Sequence, residues 1–134
     1  MKKAQFVAPQ DVRLATEILL TEHGASFGCN NLVVDMRSLA ILREFGFPVI
    51  FGATHSVQLP GAAAGVSGGQ ARFIEPLARA AVAVGIDGLF VEVHEAPERA
   101  LSDGPNALRL ESLGGLLEKL RRLDALVKAA GFAH

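Results

Sequence analysis

The sequence predicts an α/β fold of parallel strands joined by crossover helices. Two observations carry this: short apolar runs alternate with amphipathic stretches along the 134 residues, and polar residues collect after each apolar run. Gln5-Phe6-Val7 reads as the first strand. Pro9 ends it, and a helix follows over Asp11 to Glu17, with proline and an acidic residue at its start. Ile18-Leu19-Leu20-Thr21 is the second strand. It leads through the glycine- and asparagine-rich loop Gly24 to Asn31 into a helix over Asp35 to Glu44.

Pro48 to Thr54 is the third strand, β-branched and aromatic, as a strand buried on both faces of a parallel sheet should be. Its C-terminal end delivers Thr54 and His55. A stretch rich in Gly and Ala, Leu59 to Gly69, reads as a mobile loop. A helix from about Arg72 to Val84 follows, with Phe73, Leu77, Ala80, Ala81 and Val84 on one face. Gly88 to Val93 is the fourth strand. After an irregular segment through Pro105, Leu110, Leu113, Leu117, Leu120 and Leu123 recur at helical spacing until Gly131 stops the last helix.

Four strand-helix pairs fit an open doubly wound sheet or part of a closed barrel. No G-x-G-x-x-G follows the first strand and no G-x-x-x-x-G-K-[ST] occurs, so nucleotide-binding versions of the open sheet lose support. Polar residues after all four strands suit a barrel, whose sites collect at the C-terminal strand ends.

Half of the residues are apolar, enough for the core of one domain spanning residues 1–134. Thirteen basic and 14 acidic residues are interspersed for a net charge of -1, which gives no electrostatic reason to expect nucleic acid or an anionic membrane. Cys29 is the single cysteine, and neither a signal-peptide apolar core nor eighteen uninterrupted apolar residues occur. The expectation is a cytoplasmic protein that handles small molecules or other chains.

Several runs carry a specific resemblance. They are Lys2-Lys3-Ala4-Gln5-Phe6, Gly24-Ala25-Ser26-Phe27-Gly28 with Asn30 to Leu39, Ala53-Thr54-His55-Ser56-Val57-Gln58-Leu59-Pro60-Gly61, Ser67-Gly68-Gly69-Gln70, and Ala100 to Asn106. Together they span nearly the whole chain, and the sequence resembles the 3-deoxy-D-manno-octulosonate 8-phosphate (KDO-8-phosphate) synthases from the fifth barrel strand to the final helix. The resemblance implies the C-terminal half of a (β/α)8 barrel, with four βα units preceding it in such enzymes. It also implies the chemistry: phosphoenolpyruvate condenses with arabinose 5-phosphate, C3 attacking the sugar aldehyde and water adding at C2, to give KDO 8-phosphate and phosphate for lipopolysaccharide synthesis. The related synthase that uses erythrose 4-phosphate is less well matched by Asn30 to Asp35 and Ala53 to Gln58.

By the same resemblance Lys2 binds phosphoenolpyruvate and serves catalysis with His55. His23, Asn31, Ser67, Gly68 and Gln70 fall at substrate-binding positions, the last three on a loop that acts as a lid. A Ser-Gly-Gly loop before a helix also exposes backbone N–H groups that can hold an anion. His55, Glu92 and Asp103 match the metal ligands of the metal-dependent class, a donor set suited to Fe, Mn or Zn. Without that ancestry no cofactor is expected. The class-defining ligand on the first barrel strand has no counterpart here, and Cys29 stands where the family has tyrosine.

Other departures matter more. His23 stands where an arginine contacts phosphoenolpyruvate, so a permanent bidentate cation has become a group mostly neutral at pH 7. Gly52 replaces an aspartate at a strand end, and Glu95-Ala96-Pro97 replaces Pro-Asp-Pro. Four strands of a barrel would leave unpaired edges and an apolar inner face, which calls for a second copy or a separate N-terminal half. The chain alone is therefore expected to be inactive. The contrasting expectation is a catalytically inert half-barrel that serves as a binding or assembly module.

Overall fold

The computed structural model describes residues 19–26, 31–63 and 66–131. The predicted first strand and helix, Lys2 and Cys29 lie outside them. Three strands, β1 (Leu20–Glu22), β2 (Val49–Gly52) and β5 (Gly88–Phe90), form a parallel sheet in the order β1-β2-β5. Leu20 pairs with Val49 and Glu22 with Phe51, while Ile50 pairs with Gly88 and Gly52 with Phe90. All three strands therefore end at one edge of the sheet.

The alternation of a strand sends successive side chains to opposite faces. Leu20, Val49, Phe51 and Ala53 point into the core, where they meet Leu39 and Leu42 of helix α1 (Arg37–Arg43). Ile74, Ala78 and Ala81 of α2 (Ile74–Val84) and Leu116 and Leu120 of α3 (Leu110–Ala129) complete that core. A fully buried side chain of the size of Phe51 contributes about 1.5–3 kcal/mol. The other face carries Thr21, His23, Ile50, Gly52 and Phe90, and Phe90 is 46% exposed. One face of the sheet is thus packed by helices, and among the described residues no helix packs on the other.

The start of the sheet is braced for stability. Asp87 accepts a hydrogen bond from the Val49 N–H at 2.7 Å, approaches Arg43 at 3.4 Å and returns its own N–H to the Val49 carbonyl at 2.9 Å. At the approach to α1, hydrogen bonds from the Arg37 side chain hold the Asp35 carboxyl below its usual range. Gly85, at φ 98°, and Gly131, at φ 70°, occupy the left-handed positions that end α2 and follow α3, and Gly131 is where the last helix was expected to stop.

Two expectations change. The stretch read as a mobile Gly/Ala loop is an antiparallel hairpin, β3 (Gln58–Ala63) with β4 (Val66–Gly69), in which Gln58 pairs with Gly69 and Leu59 with Gly68. Pairing between the two legs supplies the backbone hydrogen bonds that composition alone did not signal. The fourth predicted strand is also divided. Its first part is β5, whereas β6 (Val93–His94) leaves the sheet and pairs in parallel with β7 (Leu108–Arg109). Among the described residues no helix is long and apolar enough to cross a membrane.

A candidate active site at the strand C-terminal ends

The ends of β1, β2 and β5 enclose a cavity of about 360 Å³ lined by Thr21, His23, Gly52, His55, Phe90 and Glu92. Each polar group arrives there for a local reason. His23 follows β1 and is 3% exposed; beside it the buried Glu22 accepts the Gly24 N–H at 2.6 Å. Gly24 has φ 96°, and a Cβ there would lie 3.2 Å from the Leu32 Cβ, so this turn requires glycine. His55 opens a 3-10 turn (His55–Val57) directly after β2. The Ser56 hydroxyl closes that turn back onto the strand by donating to the Gly52 carbonyl at 2.7 Å.

Glu92 follows β5, and its N–H donates to the buried Thr54 hydroxyl at 3.1 Å. Its carboxylate lies 3.6 Å from His55 Nε2, within ion-pair reach when the imidazole is protonated. The His23 and His55 rings meet edge to face with centroids 6.3 Å apart, and Phe90 lies 5.4 Å from His55. The cavity thus combines an apolar wall with two imidazoles and one carboxylate.

A Cβ built at Gly52 would stand 3.3 Å from the His23 Cβ. The two departures noted in the sequence are therefore neighbours across β1 and β2, and position 52 faces position 23 inside the cavity.

The other described candidate residues do not line this cavity. Asn31 and Gln70 come together, the Gln70 amide donating to Asn31 Oδ1 at 2.9 Å, and both line a second cavity of about 410 Å³ with Ser56, Gln58 and Phe73. Gly68 belongs to β4, and Ser67 is described by its backbone alone. The Gln70 N–H is taken by the Val57 carbonyl at 3.0 Å, so this loop uses that amide to seat the hairpin.

Asp103 accepts a hydrogen bond from the Gln58 amide at 3.0 Å. Of the three candidate metal ligands, the structure brings His55 and Glu92 into contact and seats Asp103 on Gln58. Among the described residues no group of three His, Cys, Asp or Glu side chains is arranged to hold a metal ion. A transition-metal site needs about three protein donors. The described donor set does not meet that requirement. Sequence reasoning missed Gln58 and Thr54 as site residues. Their signal was position alone, each within three residues of His55.

A parallel α/β sheet with polar residues at the strand C-terminal ends places the chain among α/β folds. The chain belongs to the DAHP synthetase I family, whose description matches residues 1–129. It is 59% identical over 137 aligned positions to the 2-dehydro-3-deoxyphosphooctonate aldolase of Geobacter metallireducens, covering 96% of this chain and 50% of that protein. The aldolases of the same name from Geobacter sulfurreducens and Geotalea uraniireducens are 59% and 58% identical with the same coverage. The chain spans about half the length of these curated relatives.

Proposed function

We propose that this chain supplies the C-terminal four βα units of a (β/α)8 barrel of the 2-dehydro-3-deoxyphosphooctonate aldolase type, the KDO-8-phosphate synthases. In that reading the completed site condenses phosphoenolpyruvate with arabinose 5-phosphate. C3 of phosphoenolpyruvate forms the new bond to the aldehyde carbon, water adds at C2, and the C2–O bond to phosphate breaks, giving KDO 8-phosphate and inorganic phosphate. The observation that carries it is the convergence of His23, His55 and Glu92 in one cavity at the ends of three parallel strands.

Both substrates are anions, so the site must supply fixed donors. His23 and Lys2 are assigned to phosphoenolpyruvate, and His55 is assigned to donate to oxygen as charge develops, with Glu92, 3.6 Å from its Nε2, orienting the imidazole. Phe90 supplies an apolar wall of the cavity. Asn31 and Gln70 are assigned to the sugar phosphate from the adjoining cavity. The test is phosphate release that requires arabinose 5-phosphate and is not supported by erythrose 4-phosphate. The reverse selectivity would move the assignment to the erythrose-using synthases.

The open sheet face, with Leu19, Ile50 and Phe90, is proposed to be covered by an N-terminal half-barrel or by a second copy of the chain. Light scattering coupled to size exclusion should therefore give at least twice the 14.1 kDa chain mass for the isolated chain. A stable monomer would contradict self-pairing. The second reading, an inert half-barrel, is favoured by one observation, the pairing of His23 with Gly52 where an arginine and an aspartate are expected.

A further inference from the structure

The segment from Thr54 to Gln58 carries His55 and touches two further candidate residues, Glu92 and Asp103. Thr54 accepts the Glu92 N–H, and His55 meets the Glu92 carboxylate. Gln58, whose own N–H closes the turn onto the His55 carbonyl, donates its side-chain amide to Asp103 Oδ1. Asp103 has φ 53°, the one non-glycine residue with positive φ among the described residues, a conformation that persists when surrounding contacts hold it. The same turn meets the hairpin at its other leg, where a Cβ on Gly69 would stand 2.7 Å from the Pro105 carbonyl carbon. One hydrogen bond therefore joins the start of the hairpin, the end of the His55 turn and the strained Asp103.

We propose that Gln58 is a positioning residue: through the Asp103 carboxylate it fixes the 103–106 turn and the base of the hairpin against the turn that carries His55. The proposal rests on the assignment of His55 to the site, but its test does not require turnover. Gln58 donates and Asp103 accepts, so the bond can be broken and rebuilt with isosteric changes. Gln58→Glu places two carboxylates face to face with no donor. Adding Asp103→Asn restores a donor and an acceptor with their roles reversed.

Amide hydrogen exchange followed by NMR on the full chain reads the result. The reporters are Gln70 at the hairpin base and Asn106 and Ala107 in the turn, whose N–H groups donate to Val57, Asp103 and Gly104. Gln58→Glu should speed exchange at all three by roughly tenfold, the size expected for losing one hydrogen bond. The double variant should return to within about twofold of the parent. No change in Gln58→Glu, faster exchange at Gln70 alone, or failure of Asp103→Asn to restore protection would each overturn the proposal. The measurement is made without substrate, so an inactive chain leaves it intact, and loss of the coupling leaves the assignment of the cavity standing.

Discussion

Gly69→Ala is expected to cost about 3 kcal/mol of folding stability or more, read as a lowered urea midpoint with unchanged slope. The added Cβ would fall well inside contact distance of Asn106 Oδ1, 2.6 Å from Asn106 Cγ and 2.7 Å from the Pro105 carbonyl carbon. Asn106 is 1% exposed and Pro105 meets the methyl through its backbone, so neither neighbour can simply rotate away. The hairpin base and the 103–106 turn would have to separate, which frees Gln58 from Asp103 at the same time. Gly114 gives the contrast. A Cβ there meets nothing within 4 Å, and Gly114→Ala inside α3 should stabilise by about 0.5–1 kcal/mol.

The second large effect concerns the ligand. In the completed enzyme His23→Arg should tighten phosphoenolpyruvate binding by about tenfold to a hundredfold, since a bidentate, charge-assisted guanidinium hydrogen bond contributes ~1.5–3 kcal/mol. The Gly52 Cβ position lies 3.3 Å from the His23 Cβ, so Gly52→Asp should change this result by more than the sum of the single effects. Isothermal titration with phosphoenolpyruvate across the four variants measures both. Strict additivity would show that the two positions do not share a binding site.

How much of this was legible in the sequence depended on the range of the interactions. Strands β1, β2 and β5 and the helices α1, α2 and α3 announced themselves through local periodicity, because each buries one face against the same core. The delivery of His55 and Glu92 to the C-terminal strand ends followed from strand position. The β3–β4 hairpin did not announce itself. Its two legs contain Pro60 and a run of Gly and Ala, and what makes them strands is pairing between the legs and seating on residues 103–106.

The site divides in the same way. His23, His55 and Glu92 were found as candidates one at a time, as positions implied by the family resemblance. That position 52 faces position 23 follows from the register of β1 on β2, which no run of residues encodes. Gln58 stood in a quoted run without a role of its own, because its partner Asp103 is 45 positions away. Asp103 was read as one of three cation donors, and its hydrogen bond to Gln58 is a property of tertiary packing.

The proposed site is tested most directly by phosphate release from phosphoenolpyruvate and arabinose 5-phosphate by this chain mixed with the N-terminal half of a full-length relative such as that of Geobacter metallireducens. The proposal predicts silence from either part alone and release from the mixture that needs both substrates and is lost in His55→Ala. A folded mixed complex that releases no phosphate would contradict it and leave the inert half-barrel as the reading.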